Sequence, residues 1–103
     1  ANLLVRFEPS SRRITAFPFP GRDVLPCAAR AGLRRGVLWI GTAGADLVFR
    51  FDPRTLAFTA YRLPSAGALV RHLAVDPASG DVWLAYGAAP GRISARIARL
   101  RVR

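Results

Sequence analysis

Residues 46–64, DLVFRFDPRTLAFTAYRLP, decide the fold because they occur twice. A displacement of 44 residues lays residues 2–20, NLLVRFEPSSRRITAFPFP, over them without a gap. Leu3 meets Leu47, Arg6 meets Arg50, Phe7 meets Phe51 and Pro9 meets Pro53. Thr15, Ala16 and Pro20 meet Thr59, Ala60 and Pro64. The same displacement puts Leu25 on Leu69, Gly36 on Gly80 and Trp39 on Trp83. A third, partial copy follows a slip of two residues: ISARI, Ile93 to Ile97, lies over LVFRF, Leu47 to Phe51, with Arg96 in the place of Arg50. One register held over that length is an internal repeat, not chance.

A period of 40–50 residues has few architectural meanings, and helical repeats of that length need long stretches of 3.6-residue periodicity. Pro and Gly interrupt this chain too often for that. Its apolar segments are short and alternating, as in LVFRF, AFTAY and DVWLAY, which is the pattern of half-buried strands. DPRT and DPASGD between them carry hairpin chemistry: Asp bonds the turn backbone, Pro sets φ, and Gly80 closes the turn. The fullest copy predicts strands over Leu25–Ala31, Val37–Thr42, Leu47–Phe51 and Ala57–Leu63. Four strands per repeat of this length describe a β-propeller blade, which needs neighbours to bury both its faces. Trp39 and Trp83, on the second strand of each copy, are read as core packing between blades.

The strand count divides the chain. Residues 1–20 supply the last two strands of one blade, 24–64 a complete blade, and 68–103 the first three strands of a final blade. The expectation is therefore an all-β protein: a propeller segment of about two and a quarter four-stranded antiparallel blades over residues 1–103. Closed propellers often take a missing outer strand from the opposite terminus, so Arg103 is expected to be a natural C-terminus and Ala1 a start inside a longer chain. The partners expected on this reading are the remaining blades of the parent. An open edge and bare apolar faces favour association.

Composition agrees with a buried core: 51% of the residues are hydrophobic. No apolar run approaches the ~18 residues of a membrane span, and no signal peptide is visible at Ala1. The compartment stays open. The formal charge is +10, and every basic residue is Arg. Lys serves a phosphate equally well as a point charge, so the bias is what GC-rich codons give. The arginines are scattered from Arg6 to Arg103 without a block of five, which reads as solvated surface rather than a nucleic-acid face. Cys27, the single cysteine, makes no internal disulfide and has no sequence neighbours for a metal site.

With these residues in view, RFDPRTLAFTAYRLP followed by VRHLAVDPASGDVWLAY resembles the repeat of streptogramin B lyase-like propellers, the virginiamycin B lyase family. LWIGT, Leu38 to Thr42, also resembles propeller repeats of two-component sensor ectodomains, which bind or transmit signals. The lyases open a cyclic depsipeptide at its ester by elimination. The first resemblance implies a magnesium ion, a histidine and a glutamate on one rim of the ring. Removing a proton alpha to a carbonyl needs a base, the enolate needs a cation or donor, and the leaving oxygen needs an acid. His72 matches the histidine position of family blades and is the candidate catalytic acid or base; the matching glutamate position holds Tyr86. In the preceding blade the same positions hold Ala28 and Thr42.

Antiparallel pairing of 69–75 with 81–86 puts Arg71, His72 and Tyr86 at one end of their blade. The repeat puts Cys27, Ala28 and Thr42 at the same end of its neighbour. Arg71, Tyr86 and Thr42 thus form the expected rim for a small-molecule ligand, with His72 beside them and no protein metal ligands. Asp52, Asp76 and Glu8 lie in Asp/Glu-Pro turns and read as turn formers. No phosphate loop, nucleophile elbow or His/Cys cluster is present. The favoured reading is a non-catalytic binding or scaffold segment, because neither Thr42 nor Tyr86 is a carboxylate. The alternatives are part of a magnesium-dependent carbon–oxygen lyase completed by other blades, a sensor-type interaction domain, and, less favoured, anion binding through the arginines.

Overall fold

Alternating apolar residues between Pro- and Gly-rich turns fold as nine strands in the computed structural model, which describes residues 2–32, 36–87 and 95–102. They are β1 (Leu3–Glu8), β2 (Arg13–Pro18), β3 (Pro26–Gly32), β4 (Val37–Thr42), β5 (Leu47–Asp52), β6 (Ala57–Arg62), β7 (Leu69–Val75), β8 (Val82–Gly87) and β9 (Arg96–Leu100). All pairings are antiparallel, and among the described residues there is no helix. The strands make three sheets in chain order: a first sheet β1-β2, a middle sheet β3-β4-β5-β6 and a last sheet β7-β8-β9. The limits of β3 to β6 lie within one residue of those read from the alternation.

The turns use the expected chemistry. Asp52 Oδ1 accepts the Arg54 amide at 2.9 Å, and the Leu56 amide donates to the Asp52 carbonyl at 2.7 Å. In the β7–β8 turn, Asp76 Oδ1 accepts the Ala78 amide at 2.9 Å and Gly80 closes on the Asp76 carbonyl at 2.8 Å. The 44-residue repeat is visible in the backbone itself. Phe19 N donates to Asn2 O at 2.9 Å, and 44 residues on, Leu63 N donates to Asp46 O at 2.8 Å. Left-handed φ recurs at Arg12 and Leu56, at Asp23 and Gly67, and at Gly36 and Gly80. Irregular pairing recurs too, at Cys27 in β3 and Arg71 in β7, one extra residue in each strand.

The two central strands of the middle sheet, β4 and β5, are buried on both faces. Directly opposed residues share a face, so Val37, Trp39, Gly41, Val48 and Arg50 point one way, and Leu38, Ile40, Phe49 and Phe51 the other. The second face packs on Leu4, Phe17 and Phe19 of the first sheet and its connection. Ring centroids there lie 5.2 Å apart for Phe17–Phe51 and again for Phe19–Phe49. The first face packs on Val70, Leu73, Val82, Leu84 and Tyr86 of the last sheet. β3 and β4 both run against β7. The result is a layered stack, 46 × 33 × 20 Å.

The outermost faces are open. On the first sheet, Leu3, Val5, Phe7 and Ile14 are 43–67% exposed. On the last sheet, Trp83 is 44% and Ile97 76% exposed. Trp39 and Trp83 therefore differ in environment. Trp39 is 1% exposed between the middle and last sheets, whereas Trp83 faces outward under the Arg99 guanidinium, 5.3 Å from its ring.

One reading from sequence is corrected. Arg96 does not take the place of Arg50. Trp39 lies opposite Arg50, and Trp83 lies opposite Arg99, so Arg99 is the structural counterpart. Residues 88–95 connect β8 to β9, where residues 43–46 suffice between β4 and β5, and the longer connection displaces the copy. Ile93 of the expected third copy lies outside the described residues.

Candidate functional site

The residues of the expected rim lie at the ends of β7 and β8 and of β3 and β4. Tyr86 lies opposite Val70 and His72 opposite Ala85, so Arg71, His72 and Tyr86 share one end of the last sheet. Pro26 lies opposite Thr42, which puts Cys27, Ala28 and Thr42 at the corresponding end of the middle sheet. β3 and β7 are neighbours, so the two ends adjoin.

The side chains at this end are not gathered on one surface. Tyr86 points toward the middle sheet and is 3% exposed, its hydroxyl 3.1 Å from Ser65 Oγ. His72, paired with Ala85, belongs to the opposite, open face and is exposed. Arg71 stands between them as the extra residue of β7, also exposed. Thr42 is fully buried: its Oγ1 donates to the Leu47 carbonyl at 2.7 Å and accepts the Leu47 amide at 3.3 Å. It closes the β4–β5 connection with both hydrogen-bonding capacities.

Cys27 ties the two sheets together at this end. Its thiol donates to the Val70 carbonyl at 2.8 Å. Desolvation pushes its pKa above the ordinary thiol value, against the lowering pull of the Arg71 guanidinium. The exposed thiol thus serves as a donor between the two sheets.

The lyase resemblance implies magnesium, which takes oxygen ligands in near-octahedral geometry. The residues at this end do not fit it. Thr42 Oγ1 and Tyr86 Oη are engaged inside the protein, and no carboxylate stands beside His72 in the matching positions. Among the described residues no group of three His, Cys, Asp or Glu side chains could hold a metal ion.

Asp52 and Asp76 behave as turn formers. Both are held below the ordinary carboxylate range first by backbone amides, of Arg54 and Ala78 respectively. Asp81 is the exception in role. It is 5% exposed, accepts the Val102 amide at 3.0 Å, and binds Arg99 through Nη2 at 2.7 Å and Nε at 2.9 Å. Its carboxyl is lowered by the Val102 amide and then by Arg99. The sequence reading missed this pair because it aligned Arg96, not Arg99, with Arg50.

A cavity lies at the other end of the same two sheets. It has a volume of about 210 Å³ and is bounded by Trp39, Arg50, Val75 and the β7–β8 turn. Sequence reading assigned Trp39 to the core and left Arg50 as surface.

The fold and site define a layered, repeat-built all-β protein. No family model, curated protein or solved structure matches the chain.

Proposed function

We propose that the chain is a segment of a β-propeller of the streptogramin B lyase-like kind, serving as a non-catalytic binding or scaffold part. One observation carries the reading: the same pair of faces is used twice in series. The face bearing Leu4 in the first sheet meets the face bearing Phe49 and Phe51 in the middle one. The repeat-equivalent face bearing Val48 and Trp39 then meets the last sheet. Sheets joined in this head-to-tail manner, with short connections and strand order following the chain, are what successive blades require. The open faces at both ends suit further blades.

A scaffold role is supported over catalysis by the commitments of Thr42 and Tyr86, whose hydroxyls bond within the protein. The test is direct. The chain is incubated with a streptogramin B depsipeptide and magnesium, and ring opening is followed by mass spectrometry. No ring-opened product is expected. Product that forms with this chain and is lost with His72→Ala would establish the lyase reading instead.

A further inference from the structure

The cavity between the middle and last sheets is walled on its apolar side by Val37, Trp39, Val75, Pro77 and Val102. Its polar groups are Arg50, Asp76 and Ser79. Asp76 is committed to its own turn: Oδ1 accepts the Ala78 amide and Oδ2 the Ser79 hydroxyl, each at 2.9 Å. Ser79 Oγ also accepts the Asp81 amide at 3.1 Å. Arg50 makes no ion pair or hydrogen bond through its side chain among the described residues.

The repeat shows what Arg50 lacks. Arg6, Arg50 and Arg99 hold one position in the three sheets: Arg6 and Arg50 each lie opposite a threonine, Arg50 and Arg99 each opposite a tryptophan. Arg6 Nη2 is 3.7 Å from Glu8 Oε2. Arg99 grips Asp81 with two nitrogens and lies over Trp83. In the middle sheet neither equivalent position makes an ion pair with Arg50, although Asp52 is near enough to feel its charge. Val37 stands where Asp81 stands in the last sheet. Asp52 stands where Glu8 does, is one methylene shorter, and is held by the Arg54 backbone and side chain at 2.9 and 3.3 Å. A half-buried guanidinium beside an apolar cavity is thus left with the place of its carboxylate vacant. Guanidinium binds carboxylate strongly and with two parallel bonds, most of all in partly desolvated surroundings.

We propose that this cavity binds a small monocarboxylate with a flat apolar body. Its carboxylate sits on Arg50 as Asp81 sits on Arg99, and its body lies against Trp39, Val37 and Val75. Size supports this. The volume of about 210 Å³ exceeds the roughly 150 Å³ that accommodates benzene and falls below the roughly 300 Å³ at which drug-sized pockets begin. Asp76 in the wall opposes any negative charge, so Arg50 must outweigh it for one carboxylate and a second would face it uncompensated. The site is separate from the His72 end and does not depend on the propeller reading.

Phenylacetate is the probe and phenylacetamide its neutral control. Titration is followed by the indole N–H resonance of Trp39, identified by its persistence in Trp83→Phe. Phenylacetate should shift that resonance saturably with a Kd on the order of 1 mM, as expected for a ligand of this size, and phenylacetamide should bind at least ten-fold more weakly. Arg50→Gln should weaken phenylacetate at least ten-fold. Val37→Asp supplies the missing carboxylate from within and should do the same; Arg50→Gln decides alone if that buried substitution unfolds the chain. Absence of a saturable shift, equal binding of the amide, or unchanged affinity in Arg50→Gln overturns the proposal.

Discussion

Gly41 lies against Val70 of the last sheet. A Cβ there would meet Val70 Cβ at 2.8 Å, and that atom is fixed to the β7 backbone. Gly41→Ala should therefore cost about 1–3 kcal/mol, the usual penalty of overpacking, measured by urea denaturation. The repeat provides the control. Ala85 holds the same position in the last sheet, whose outer face is open. Ala85→Val should change stability by no more than about 0.5 kcal/mol. Leu56 offers the reverse effect. It holds φ 61° and is 53% exposed. Left-handed backbone costs a bulky residue about 1–2 kcal/mol, and glycine returns part of that as chain entropy. Leu56→Gly should raise stability by up to about 1 kcal/mol in the same assay. Single residues were the least legible scale. Thr42 reads as an open rim hydroxyl from its strand position, yet closes a connection, because alternation fixes its face but not its partner. Arg99 was hidden by the long connection before it.

At the scale of the element, β9 hangs on Asp81. The carboxylate joins the start of β8 to the Val102 amide beyond β9 and to Arg99 within it. Its pKa is lowered in the folded chain, chiefly by the Val102 amide. The unfolded value is about 3.9. A carboxyl lowered on folding contributes its stability above the unfolded pKa and loses it as pH falls through the folded one. Hydrogen exchange across Ile97–Leu100 should hence accelerate relative to β4 and β5 as pH drops below about 4. Asp81→Asn should show the faster exchange already at pH 7. Equal protection of β9 and β5 at every pH would show that Asp81 does not hold the strand. Elements were well read from sequence, since two-residue alternation and Asp-Pro turns are local signals. The paired bulges at Cys27 and Arg71 were not, because an extra residue in a strand leaves no compositional mark.

The whole molecule is a stack with two unlike, unsatisfied ends. The repeat in the sequence already contained the order of sheets; which faces meet was not in it, since both faces of the middle sheet are apolar. Packing in series makes the open faces complementary. The first sheet bares the counterpart of the face that Phe49 and Phe51 use, and the last sheet bares the counterpart of the face that Trp39 and Val48 use. Heterologous ends of this kind join head to tail. Sedimentation velocity of the chain, of Val5→Glu, of Ile97→Glu and of their equimolar mixture tests this most directly. The account predicts concentration-dependent oligomers for the parent chain, monomers for each variant alone, and dimers for the mixture, in which one intact pair of faces remains. A parent chain that stays monomeric across the concentration range, or a mixture that stays monomeric beside an oligomeric parent, would contradict it.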